Sequence, residues 1–129
     1  MIYSMEENLN QLLLKDLCAR LSYGVKVAFF NEDLTYHSEP KTLTGIECIN
    51  NLNYSSLEDE DGNTTIVEFV KPYLFPLSSM TEEERIAIGN EFAYGQPHKA
   101  MDTLHKRHID YRGLIPKGLA IDATGKNIY

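Results

Sequence analysis

No apolar run in this 129-residue chain approaches the roughly 18 residues that a membrane-spanning helix needs. The opening Met1-Ile2-Tyr3-Ser4-Met5-Glu6-Glu7 lacks the basic start and apolar core of a secretory signal. The chain is therefore expected in the cytoplasm, with no membrane partner. Cysteine is scarce: Cys18 and Cys48 each sit in an apolar setting, which reads as two reduced core thiols. Eight Gly and five Pro without a period exclude a collagenous or low-complexity chain, and 43% hydrophobic residues exclude full disorder. Cations are outnumbered, 12 Lys plus Arg against 19 Asp plus Glu, for a net charge of −7. Extended nucleic acid is a poor partner for such a chain, because that affinity rests on cationic contacts to phosphate. Also missing are G-x-S-x-G, a Gly-rich phosphate loop, G-x-G-x-x-G, H-E-x-x-H and C-x-x-C. No cofactor is expected, and catalysis has no motif behind it.

What is present reads as one domain, 1–129, since about 100–200 residues make one domain. Ser4 with Glu7 forms a capping box, and Met5, Leu9, Leu12, Leu13, Leu17 and Leu21 recur at helical spacing. A helix over 5–22 follows, stopped by Gly24. Val25, Val27 and Phe29 alternate as a strand, and Leu34 to His37 can return as a second after the turn-like Asn31-Glu32-Asp33. Thr42 to Ile49 is a third, with Gly45 a candidate bulge that turns Ile46 and Cys48 inward. Asn50 to Ser56 reads as irregular, with one short strand available around 52–57. Thr64 to Val70 carries the strongest β signal, and Pro72 and Pro76 are expected to end the sheet. Ser79 with Glu82, or Thr81 with Glu84, caps a helix reaching about Ala93, and Pro97 opens another reaching about Ile109. The fold class is α+β: an N-terminal helix, an antiparallel β-meander of about four to five strands, two C-terminal helices and an irregular tail.

The net charge conceals an asymmetry. Residues 1–95 hold six basic and sixteen acidic side chains, whereas residues 96–129 hold six basic and three acidic. An unevenly charged solvated surface explains that count, and so does a cationic patch facing an anionic ligand. His98, Lys99, His105, Lys106, Arg107 and Arg112 fall within fifteen residues. Arg112, Lys99, His98 and His105 are the residues expected to hold phosphate, with Tyr94 or Tyr111 offering a π-face to a base. His98, Asp102 and His105 share one helical face at i, i+4, i+7, but without a Cys or H-E-x-x-H nearby no metal is assigned. His108 reads as a hydrogen-bonded histidine at the edge of the core. Glu58-Asp59-Glu60-Asp61-Gly62 imitates part of a calcium loop, yet Leu57 stands where its first ligand belongs and a strand follows where a helix is required. A hairpin turn at Asp61-Gly62 accounts for the same letters.

Three segments stand out: Leu13-Leu14-Lys15-Asp16-Leu17-Cys18-Ala19-Arg20-Leu21-Ser22-Tyr23-Gly24-Val25-Lys26-Val27, Val70-Lys71-Pro72-Tyr73-Leu74-Phe75-Pro76-Leu77-Ser78-Ser79-Met80-Thr81-Glu82-Glu83-Glu84, and Asp110-Tyr111-Arg112-Gly113-Leu114-Ile115 with Gly118-Leu119-Ala120. Together they resemble a family of uncharacterised short proteins from gut bacteria, their mobile elements and phages. The resemblance implies genomic company and one compact domain, and it supplies no activity. The expected function is a non-catalytic counter-defence protein that sequesters an anionic small molecule such as a signalling nucleotide, with a homo-oligomer compatible. The alternative is a protein-interaction module that inhibits a host protein through its acidic residues 58–61 and 82–84. A small hydrolase or transferase using His105 or His108 as base comes third.

Overall fold

A computed structural model describes residues 5–49 and 54–129. The Ser4–Glu7 capping box and the stretch at 50–53 lie outside the described residues. Helix α1, Met5–Arg20, runs on into a 3-10 turn, Leu21–Tyr23, which Gly24 ends in the left-handed region at φ 71°. The helix and its stop are as expected. Its buried stripe is not purely apolar: Leu13, Asp16, Leu17 and Arg20 are all enclosed, following the i, i+3, i+4, i+7 repeat of one helix face.

The sheet holds β1 (Lys26–Phe29), β2 (Lys41–Ile49), β3 (Tyr54–Asp59), β4 (Thr64–Thr65), β5 (Val70–Pro76), β6 (Ile109–Asp110) and β7 (Ile121–Asp122). The order is β4-β3-β2-β1-β5-β6, with β7 also on β5. The first five strands pair antiparallel, and β6 and β7 run parallel to β5, so the C-terminal third makes the sheet mixed. The register of β2 on β3 shifts between Leu43 and Gly45, which is the expected bulge. Behind it, the hairpin turn at Asp61-Gly62 is also present. Asp59 Oδ1 accepts from the N–H groups of Asp61 and Asn63, and Gly62 takes φ 82°.

Three strand expectations are corrected. Leu34 to His37 is an exposed loop that touches the sheet through a single Phe30–His37 bridge. Asn31 Oδ1 takes the Tyr36 N–H and Asp33 Oδ1 takes the Thr35 hydroxyl and N–H, so local side chains satisfy backbone that a ladder would otherwise use. Of Thr64 to Val70, only Thr64–Thr65 pairs with β3; a 3-10 turn at Val67–Phe69 intervenes before β5 begins. Nor do the prolines end the sheet, because β5 contains both. The Phe30 N–H to Phe69 carbonyl bond sets the phase of the β1–β5 ladder. Alternation then makes Lys71–Ala28 a hydrogen-bonded pair and Pro72–Val27 a non-bonded one, so the Pro72 nitrogen faces away from β1. Pro76 follows Phe75, whose N–H bonds the His108 carbonyl, and its nitrogen is turned from β6 by the same alternation.

Helix α2, Glu82–Ala93, starts with the Thr81–Glu84 capping box, both bonds of which are formed. Helix α3, Pro97–Lys106, begins on its proline but stops short of Ile109. His108 adopts φ 56°, turning the chain so that Ile109–Asp110 can pair with β5. The tail after it is irregular apart from β7. Asp110 organises it, accepting the Leu114 and Ile115 N–H groups at 2.9 and 2.8 Å.

The main core joins Leu13 and Leu17 of α1 to Val27, Leu43, Leu57, Val70 and Leu74 of the sheet, closed by Leu114 and Ala120 from the tail. Ala28 and Tyr73 face the other side of the sheet, where Ala123 packs. Met80, Ile88, Ala100, Leu104 and Ile109 form a third cluster that anchors α2 and α3. Among the described residues no helix is long and apolar enough to cross a membrane.

The cysteines do not join any of these clusters. Cys18 and Cys48 are both exposed, with Cys18 on the side of α1 turned from its buried stripe, so the expectation of core thiols is overturned. The two thiols lie against one another, and partial burial followed by the Cys48 neighbour raises the Cys18 pKa. Both should therefore be carbamidomethylated by iodoacetamide without denaturant, Cys18 more slowly than an ordinary exposed thiol because less of it is thiolate at neutral pH. Intact mass over time reads this out, and a requirement for urea would contradict the exposed placement.

Candidate functional site

Asp16 and Arg20 stand one turn apart on α1, and their ion pair is completely enclosed, Arg20 Nε donating to Asp16 Oδ2 at 2.8 Å. Arg20 Nη2 donates to the Ile109 carbonyl, tying α1 to β6. Arg112 approaches the same carboxylate from the tail, its Nε 2.9 Å from Asp16 Oδ1. One carboxylate thus serves two guanidiniums, Arg20 and Arg112. Arg20 Nη1 is buried and finds no partner.

Tyr111 links this cluster to α3. Arg112 Nη2 donates to its hydroxyl at 3.1 Å, and that hydroxyl lies 2.7 Å from His105 Nε2. The phenol accepts from Arg112, which leaves its own proton free for His105 Nε2 whenever the ring is neutral with that nitrogen unprotonated. Burial lowers the His105 pKa, and the Arg20 guanidinium adds to the effect. The Arg20 and Arg112 guanidinium carbons lie 5.2 and 4.9 Å from the Tyr111 ring centre. Tyr23, in the turn after α1, packs its ring 5.5 Å from His105 and donates to Asp102 Oδ1 at 2.5 Å. That bond raises the Tyr23 pKa.

The expected residues separate into two groups. His105, Tyr111 and Arg112 come together around Asp16 and Arg20. Tyr94, 82% exposed, sits at the C-terminal end of α2, and His98 and Lys99 are exposed in the first turn of α3. His98 shares a helix face with His105 but lies two turns away, about 10 Å along the axis. Asp16 and Arg20 are the residues that sequence reasoning missed, although a signal existed: both fall at the centre of the Leu13–Leu17 stripe, where a charge has to be paired.

Arg112 is partly open to solvent, its side chain 19% exposed, and Tyr111 beside it is half-buried. Lys117 Nζ reaches the Arg112 carbonyl at 3.4 Å, so a second, exposed cation lies on the same turn of the tail. His108 lies behind, stacked on Tyr129 at 3.6 Å, its Nδ1 buried without a partner. The Tyr129 hydroxyl donates to the Tyr73 carbonyl and accepts the Lys26 N–H, and burial pushes its pKa up to about 12. No group of three His, Cys, Asp or Glu side chains suited to a metal occurs among the described residues.

The acidic segments are largely used within the chain. Asp59 caps its own hairpin, Glu60 accepts the Thr42 N–H, Asp61 pairs with Lys41 and Glu84 pairs with Arg107. Compared with protein-family models, with curated proteins and with solved structures, the chain finds no match in any of the three.

Proposed function

We propose that this chain is a non-catalytic binding protein that captures an anionic small molecule of the nucleotide class. A protein of phage or mobile-element type, the company implied by the family resemblance, would use such capture to withdraw a signalling nucleotide from a host defence. The observation that carries the reading is that two guanidiniums share the Asp16 carboxylate, and the second belongs to the partly exposed Arg112. Arg112 and Lys117 hold the anion, while Tyr111 and neutral His105 keep the Arg112 fork in place. The alternative of an acidic protein-binding surface is the weaker one, since Asp59, Glu60, Asp61 and Glu84 are committed to local bonds.

Calorimetry and thermal shift against linear and cyclic nucleotides test this. Lys117→Glu should weaken binding about ten- to a hundredfold, the loss of a charge-assisted contact plus the repulsion that replaces it. Arg112→Lys, which keeps the charge but not the fork, should weaken it less than Arg112→Gln. Recovered ligand should be chemically intact. Absence of binding to every nucleotide at tens of micromolar protein would refute the proposal.

A further inference from the structure

Helix α2 buries one side only. Ile88 faces Ala100 and Leu104 of α3, while Ile86 and Phe92 remain 56% and 46% exposed, and Leu77 and Tyr94 are exposed at either end. At about 100° per residue, Glu82, Arg85, Ile86, Gly89, Phe92 and Ala93 share the outer face. Gly89 sits at its middle. A Cβ there would meet nothing within 4 Å, so the folded chain makes no use of the missing side chain although glycine is the poorest helix former after proline.

We infer that this face is a homodimer interface in which α2 packs antiparallel on α2 of a second copy about a two-fold axis at Gly89. The spacing is self-complementary: Ile86 and Phe92 stand three residues to either side of Gly89. The axis therefore sets Ile86 against Phe92 of the partner subunit twice over and brings the two glycines together, as an isologous contact requires. Charge agrees with this choice of occupant. Glu82 and Glu83 are exposed and belong to none of the ion pairs among the described residues, as do His98 and Lys99 just beyond the other end of α2. Antiparallel packing carries the acidic end of each copy to the basic turn of the other. Glu84, which points to Arg107 of its own chain, is left out of the exchange. A single helix pair is a small interface, so association in the micromolar range fits it.

The proposal uses neither Arg112 nor Lys117 and stands or falls apart from ligand capture. Sedimentation velocity over a concentration series should show the 14.7 kDa chain passing into a species of twice that mass. Gly89→Gln should raise the melting temperature of the monomer, yet weaken self-association about tenfold or more by holding the helices apart. Glu82→Lys with Glu83→Lys should abolish the dimer, and so should Lys99→Glu; mixing these two variants restores opposite charges at both ends and should restore dimers. A wild-type chain that stays monomeric at the highest concentration would overturn the inference. So would Gly89→Gln associating as tightly as wild type, or charge-reversed variants that fail to pair when mixed.

Discussion

Asp16→Ala should lower the unfolding free energy by about 3–5 kcal/mol, the usual cost of leaving one partner of a buried ion pair without the other. The effect is large because Arg20 has nowhere to go. Its side chain is fully enclosed, its Nη2 is held by the Ile109 carbonyl and its Nη1 already lacks a partner, so removing Asp16 strands a desolvated guanidinium. Arg112 loses its anchor at the same time. Urea unfolding reads the loss as a drop in midpoint at unchanged slope. Replacing the pair together, Asp16→Leu with Arg20→Met, should recover much of the stability, because no charge is then buried alone. A cost below about 1 kcal/mol for Asp16→Ala would mean that water reaches Arg20, contrary to its enclosure.

The second large effect is acid sensitivity centred on His108. Its ring is buried, stacked on Tyr129, and its Nδ1 has no partner. Burial, and then the Arg20 guanidinium, lowers its pKa from 6.5 to about 4. Between those two values the unfolded chain takes up a proton that the native chain refuses. This contribution is therefore complete above pH 6.5 and is lost as the solution is acidified toward 4, by about 3 kcal/mol at about 1.4 kcal/mol per pKa unit. His105, lowered in the same direction, adds to the slope. The check is a set of urea midpoints from pH 7 to pH 4.5. His108→Asn keeps a residue that tolerates the left-handed turn and should flatten most of that slope. An unchanged slope in this variant would place the titrating group elsewhere.

Both effects arise where local pattern and tertiary contact part company. The period of leucines identified α1, Thr81 with Glu84 identified the start of α2, and Gly45 marked the bulge; in each case neighbours within a few residues settle the conformation. Pro72 misled because proline is read as a sheet breaker. Whether it breaks a ladder depends on which side of the strand its nitrogen faces, and the Phe30–Phe69 bond decides that from forty residues away. Thr64 to Val70 misled for the opposite reason, β-branched residues being suited to a pleated surface without creating one.

Of the residues chosen for phosphate and base, His105, Tyr111 and Arg112 meet in space and Tyr94, His98 and Lys99 stand apart from them. Composition and spacing by themselves determined the α+β class, the starts of α2 and α3, the stop at Gly24, the hairpin at Asp61-Gly62 and the concentration of cations after residue 95. Those are consequences of short-range sterics, hydrogen bonding and simple counting. Only the tertiary structure brought Asp16 and Arg20 of the first helix to Arg112, ninety-odd residues on, and turned both thiols outward. The reason is that the partner of a buried charge is chosen by the packing of α1 against the sheet and the C-terminal tail, and no repeat in the sequence encodes contacts at that separation.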